Sequence, residues 1–323
     1  MEKNPLIIIT GPTASGKTSL SVELAKEING EIISADSMQV YRGMDIGTAK
    51  IKPEEMCGIK HYLIDEYDPW DEFNVAIFKE RCSQYIEEIY SHGKVPVIAG
   101  GTGFYIQAVL YNINFNETEA DNPYREKLWH FASVYGAEAL HSELAKVDKV
   151  SAEAIHPNNT KRVIRALEYY KQTGKPISLH NEEERKKEPP FKFKYFVLNL
   201  PRDILYGRIN KRVDIMREEG LENEVKELIA KGCTRNMVSM QGLGYKEIID
   251  ALEKDLPLDD AFEKIKQETR HFAKRQITWF KRERDVIWIN KNEYGYNEDA
   301  ILETMKKQIP FFHSEGSRMA GQG

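Results

Sequence analysis

Residues 11 to 18 read GPTASGKT, and this octet constrains what the chain can fold into more than any other stretch. It satisfies GxxxxGK[ST] and lies between an apolar run, Leu6 to Thr10, and a helical pattern beginning at Lys17. Glycines in a strand-to-helix turn let backbone N–H groups point inward at phosphate oxygens, and the helix dipole aims at the same anion. The candidate phosphate-binding residues are Gly11, Pro12, Thr13, Ala14, Ser15, Gly16, Lys17 and Thr18. Lys17 supplies a mobile point charge, and the Thr18 hydroxyl is a candidate ligand for Mg²⁺. The bland alternative is a turn that binds nothing; the complete motif in its strand–helix setting favours phosphate.

The surrounding pattern is that of an α/β protein. Leu6–Thr10, Glu31–Ala35, Tyr62–Asp65 and Val95–Ala99 are expected buried strands, because their apolar residues run together rather than alternate. Helical stretches at Lys17–Ile28, Val75–Tyr90 and Phe104–Tyr111 lie between or after them. From Asp121 to Gly174 the periodicity is helical throughout, and Glu182–Pro190 (EEERKKEPP) has the composition of a linker. Lys194–Leu200 then reads as another core strand, Asp259 to about Glu283 as a long helix, and Val286–Ile289 as a last strand. The expected fold is a P-loop NTPase-like parallel sheet flanked by helices, with an inserted all-helical subdomain. The expected boundaries are 1–114 with 191–312 for the catalytic core, 115–190 for the insert, and a disordered tail at 313–323.

Composition narrows the setting. A formal net charge of −5 argues for no polyanionic partner by itself. The three cysteines, Cys57, Cys82 and Cys233, form no metal-binding spacing. No run approaches the ~18–20 apolar residues of a membrane span, and no signal-peptide stretch precedes Leu6. A cytoplasmic protein is expected. Basic residues are nonetheless clustered: Lys161, Arg162 and Arg165 in the helical insert, and Arg270, Lys274, Arg275, Lys281, Arg282 and Arg284 along the late helix. A charge run is usually a solvated face, and these clusters alone divide evenly between that reading and a phosphate-backbone contact.

A phosphate loop does not name a reaction, since the polyphosphate can be a donor or a leaving group. No strand ends in a clear metal-binding acid: Val95–Ala99 runs instead into GGTGFY. Asp65 is a candidate substitute, although acids at strand ends are often turn residues. Asp36 leaves its strand at the carboxyl end, beside the phosphate loop in a doubly wound sheet, where ligands bind.

Together GPTASGKT, ADSMQVYRGMDIGTAK, GGTGFY, HPNNTKRVIRALE, GLGYKE and FAKRQITWF resemble the tRNA dimethylallyltransferases (tRNA isopentenyltransferases), in that family's order from Gly11 to Phe280. The chain has no C-terminal Cys/His zinc finger of the eukaryotic kind, so it looks bacterial in type. The resemblance implies transfer of a dimethylallyl group from its diphosphate to N6 of the adenine immediately 3′ of the anticodon. The partners are then tRNA, through its anticodon stem-loop, and dimethylallyl diphosphate, with Mg²⁺ as cofactor and a monomer expected. It also implies the roles: Asp36 as the base, Thr102 near the target adenine, and Lys17 and Arg212 on the diphosphate. Candidate tRNA contacts by the same resemblance are Asp36, Ser37, Met38, Gln39, Thr102, Arg125, Lys161, Arg162, Val163, Ile164, Arg165, Gln241, Gly242, Leu243, Gly244, Tyr245, Lys246, Arg270, Lys274 and Arg275. Gln39 has both a donor and an acceptor for a base edge. The rival readings are a small-molecule or nucleotide kinase, an isopentenyltransferase for free adenine nucleotides, and a non-catalytic RNA-binding switch. A kinase calls for a Mg²⁺-binding acid, the free-nucleotide enzyme has little use for the basic helix, and a switch needs neither Asp36 nor Thr102.

Overall fold

In a computed structural model the chain is described over residues 3–115 and 123–309. The stretch 313–323, expected to be disordered, lies outside those residues. The chain divides into two compact units, residues 1–110 with 190–323, and residues 111–189.

The first unit is built on a parallel sheet. Its elements are β1 (Pro5–Thr10), α1 (Lys17–Glu27), β2 (Gly30–Ser34), β3 (His61–Tyr62), α2 (Val75–Ser91), β4 (Val95–Gly100) and α3 (Gly103–Leu110). In the second unit follow α4 (Pro123–Tyr135), α5 (Ala137–Val147), α6 (Lys149–Ala154), α7 (Thr160–Thr173) and α8 (Ile177–Lys186). The chain then returns through β5 (Lys192–Asn199), α9 (Arg202–Glu218), α10 (Leu221–Ala230), α11 (Tyr245–Glu253), α12 (Leu258–Phe280), β6 (Val286–Asn290) and α13 (Glu298–Lys307).

Among the described residues the sheet has six strands in the order β3-β2-β4-β1-β5-β6, each neighbouring pair parallel. Leu6 to Ile9 are fully buried, as a strand covered on both faces requires. One core packs Ile7, Ile9, Leu20, Leu24, Ile32, Val97, Phe196, Leu198 and Ile289. In the second unit Leu128, Leu140, Leu144, Val163, Ile164 and Leu167 form a separate core. Among the described residues no helix is long and apolar enough to cross a membrane.

Two sequence expectations need correction. The strand expected over Tyr62–Asp65 stops at Tyr62, because Leu63 (φ 60°) and Asp65 (φ 54°) turn into the left-handed region. Asp65 there accepts from Lys50, with Tyr41 O and Asp45 as that ammonium's other partners, so it is the turn residue rather than a metal ligand. The expected linker Glu182–Pro190 is helical through Lys186. The Glu182–Lys186 pair at 2.7 Å, at i,i+4 spacing, supports that last turn.

Candidate active site

The register of the sheet decides which loops meet. Thr10 of β1 pairs with Gly100 of β4, and Ser34 of β2 pairs with Ala99. Three adjacent strands therefore end together, and the residues beyond them share one carboxyl edge: the loop from Gly11, the Ala35–Asp36 exit, and Gly101–Thr102. This is the place where open parallel sheets bind ligands. Ala35 N donates to Ala99 O at 2.8 Å and Thr102 N to Ala35 O at 3.1 Å, stitching the second exit to the third.

The phosphate loop has the backbone its motif demands. Gly16 (φ 85°), Ala14 (φ 63°) and Gly11 (φ 149°) all carry positive φ, and α1 starts at Lys17. Opposite it, Asp36 accepts the Met38 N–H on Oδ1 at 2.9 Å, which fixes its carboxylate orientation. One cleft is lined by Thr13, Lys17, Thr18, Asp36, Gly101 and Arg212, the last reaching in from α9. Ile32, Ile51, Ile64 and Ala99 give the same cleft an apolar flank.

Charge in this cleft is unbalanced. Burial, and then the Arg212 guanidinium, pulls the Lys17 ammonium down from 10.5 to about 7, with Asp36 opposing. Burial likewise pushes the Asp36 carboxyl above its ordinary value, although the Met38 N–H, Lys17, the Gln39 N–H and Arg212 all work against it. Burial lowers Arg212 too, countered by Asp36 and Glu55. Lys17 Nζ rests on the Pro12 carbonyl at 2.8 Å. Two cations thus face one carboxylate in a partly buried cleft, an arrangement that favours a bound anion.

Sequence reasoning missed Gln276. Its Oε1 accepts the Thr13 N–H at 2.9 Å and its Nε2 donates to the Gly101 carbonyl at 2.9 Å, so one buried amide ties the phosphate loop to the GGTG turn. A methyl group added to Gly101 would lie 2.3 Å from that Nε2, so this approach requires glycine. The signal was present in the sequence. Ala273, Gln276 and Phe280 share the buried side of α12, and a glutamine there needs partners.

Other expected residues fall into different surroundings. Thr102 stands half-buried at the head of α3, next to Gly101. Gln39 is corrected: its Oε1 accepts from Ser34 Oγ and its Nε2 donates to Thr48 O and Ala49 O, each at 3.3 Å, so its amide is spent inside the protein. Tyr245 is also corrected, being fully buried with its hydroxyl donating to Glu224 at 2.6 Å. Glu224 in turn accepts the N–H groups of Asp45, Ile46 and Gly47, which fixes the loop after Met44. Met38 packs against Gly242. Gln241 donates to the Arg235 carbonyl, while Leu243 and Lys246 are half-buried and Gly244 is buried. Ser37 is half-buried beside Asp36.

Lys274 and Arg275 on α12, and Arg282 just beyond its end, are exposed and line an open groove with His271, Thr278 and Trp279. Arg270 lies outside it, half-buried and bonded to Asn210 at 2.6 Å. In the helical unit Lys161 and Arg162 are exposed and Arg165 is half-buried. Arg125 pairs with the buried Glu168 at 2.8 Å. Val163 and Ile164, 0% and 2% exposed, belong to that unit's core, so their side chains are closed to RNA; the basic residues flanking them carry the surface.

Among the described residues no three His, Cys, Asp or Glu side chains form a metal cage. A Mg²⁺ ion bound through phosphate oxygens and water needs few protein ligands, and the exposed Thr18 hydroxyl, sharing its cleft with Asp36, fits that donor set.

The model of one family, described as IPP transferase, matches residues 39–283. A tRNA dimethylallyltransferase from Lachnoclostridium phytofermentans is 59% identical, covering 94% of this chain and 96% of that one. The solved tRNA isopentenylpyrophosphate transferase of Bacillus halodurans is 43% identical with a TM-score of 0.71, covering 99% of this chain and 100% of that one. A eukaryotic dimethylallyltransferase, solved acting on tRNA, is 31% identical with a TM-score of 0.75, covering 89% of this chain and 74% of that one. With matches of this extent on the same sheet, the chain belongs to the IPP transferase family.

Proposed function

We propose that this chain transfers the dimethylallyl group of dimethylallyl diphosphate to N6 of the adenine immediately 3′ of the anticodon in tRNA, releasing pyrophosphate. One observation carries the reading: Lys17 and Arg212 share with Asp36 a single cleft at the end of the phosphate-loop strand. A diphosphate supplies the negative charge that this pair of cations lacks, and the carboxylate remains for proton chemistry.

Each residue then has a task. The N–H groups of the phosphate loop, Lys17 and Arg212 hold the diphosphate and stabilise the charge that builds on the bridging oxygen as the allylic carbon–oxygen bond breaks. The guanidinium suits a planar two-point contact with phosphate oxygens. The isoleucine flank accommodates the five-carbon chain and keeps water from an electrophilic carbon. As N6 bonds to that carbon, its surplus proton passes to Asp36, whose raised basicity suits an acceptor. Thr18 would hold Mg²⁺, which would supply further positive charge to the leaving pyrophosphate.

The adenine must leave its stack to reach this cleft. The residues proposed to hold the tRNA are Lys274 and Arg275 on α12, Lys161, Arg162 and Arg125 in the helical unit, and Ser37, Met38, Gln241, Gly242, Leu243 and Lys246. Backbone-directed lysines and arginines position an RNA without reading its sequence. We also propose a cytoplasmic monomer, the setting in which unmodified tRNA is met.

A radiolabel transfer assay tests the reading. Labelled dimethylallyl diphosphate is supplied with Mg²⁺ and either unmodified tRNA or AMP, alongside a tube containing γ-labelled ATP. Label in tRNA alone is expected. Label in AMP would move the chain to the free-nucleotide enzymes, and phosphate transfer from ATP without prenyl transfer would make it a kinase.

A further inference from the structure

Lys291 is fully buried behind the phosphate loop, immediately after β6 and outside the stretch matched by the family model. Its Nζ donates to the Ser15 carbonyl at 3.4 Å and to Glu298 Oε1 at the start of α13. A methyl group added to Gly16 would come within 2.9 Å of that Nζ, so the ammonium sits against the left-handed glycine itself. A buried ammonium is costly, and nothing in the core chemistry of a sheet calls for one here.

We propose that Lys291 is a positioning residue for diphosphate binding, acting through the Ser15–Gly16 peptide. In a trans peptide the C=O and the following N–H point in opposite directions. Anchoring the Ser15 carbonyl at the rear of the loop therefore turns the Gly16 N–H towards the front, where a phosphate oxygen would accept it. Glu298 holds the ammonium in place from its other side. The Ser15 Oγ, buried with no hydrogen-bond partner, does not share this task, which leaves the lysine as the side chain that fixes the plane. The same positive charge adds to the field felt by the anion without touching it. Lys17 grips the ligand; Lys291 aims the backbone that cradles it.

The proposal rests on the loop being a diphosphate site, and the test separates the two. Pyrophosphate binding to the full chain is measured by calorimetry for the wild type, Lys291→Met and Lys291→Arg, with the Gly16 amide resonance followed through each titration. Lys291→Met is expected to weaken pyrophosphate about tenfold, the order of one hydrogen bond to a charged group, and to shrink the Gly16 amide response. Lys291→Arg, which keeps charge and donors, is expected to restore most of both. In the transfer assay the KM for dimethylallyl diphosphate should rise with kcat less affected, while tRNA affinity stays put. Should Lys291→Met not fold, Glu298→Ala, at a half-exposed site, frees the ammonium from its second anchor, and a reduced Gly16 amide response is expected there. Wild-type pyrophosphate affinity in a folded Lys291→Met protein, or an unchanged Gly16 response in Glu298→Ala, would overturn the proposal alone. Failure of the wild type to bind pyrophosphate would remove the diphosphate site and this inference with it.

Discussion

Asp36 holds the backbone N–H of Met38, two residues ahead of itself, on Oδ1 at 2.9 Å. The side chain is thereby oriented before any substrate arrives, with Lys17 and Arg212 sharing its cleft. Replacing it with alanine removes the base but none of the proposed phosphate contacts. Asp36→Ala should lose about 10²–10⁴-fold in turnover while binding tRNA and pyrophosphate nearly as well. Single-turnover transfer together with filter binding checks this, and near-normal turnover would place the base elsewhere.

Lys17 is held near 7 by burial and by Arg212, well below the 10.5 it has in the unfolded chain. The native protein therefore binds fewer protons than the unfolded chain between those values, so this group's contribution to stability rises with pH across that window and is least favourable below it. Lys17→Met removes the cost of burying the ammonium. Its melting temperature should exceed that of the wild type at pH 6, with the gap narrowing as pH rises through that window. The same variant should lose pyrophosphate binding. A lower melting temperature at pH 6 would contradict the assigned burial.

Pyrophosphate must bring Lys17 back to its charged form, because the anion favours the ammonium. Binding above pH 7 should therefore take up a proton, and affinity should weaken as pH rises beyond about 7, by at most about tenfold per pH unit. Calorimetry in two buffers of different ionisation enthalpy reads the proton directly. Identical heats at pH 8 would mean that Lys17 enters the complex without a change in charge.

Gln276 joins two loops that lie far from it in sequence. Gln276→Leu leaves the Thr13 N–H and the Gly101 carbonyl without this partner. It should destabilise the protein by about 1–3 kcal/mol and raise the KM of both substrates. Gln276→Glu keeps an acceptor for Thr13 but loses the donor to Gly101, so it should be worse for the GGTG turn than for the phosphate loop. Thermal melts and steady-state kinetics on the pair decide this.

Lys274 and Arg275 project from the exposed side of α12. Neutralising both as glutamine should weaken tRNA binding and reduce the salt slope by roughly one to two, with pyrophosphate affinity unchanged. An unaltered salt slope would return that face to the ordinary solvated kind.

The fold was legible in the sequence where backbone chemistry is local. The phosphate loop, the buried strands and the helical insert all announce themselves through glycine spacing or apolar periodicity. Strand β3 was over-extended because its end depends on Lys50, which draws Asp65 into a turn from fifteen positions earlier in the chain. The motif residues of the site gathered as expected at one sheet edge. Gln39 and Gln276 are the instructive pair. Each offers a donor and an acceptor, and each could serve a ligand or the scaffold. Only the register of neighbouring segments decides, and it commits both amides to partners within the protein itself: two carbonyls and the Ser34 hydroxyl for Gln39, a carbonyl and an N–H for Gln276.

The placement of β1 between β4 and β5 also has a consequence for how the protein is made. β1 leaves the ribosome first and finds β4 within the first hundred residues, but its other neighbour begins at Lys192, after the whole helical unit has been translated. Until then one flank of β1 shows an unpaired row of N–H and C=O groups, an edge of the kind that recruits stray strands. During synthesis the hazard to this protein is thus greatest while the helical unit is emerging, and a pause there would prolong the exposure of that edge.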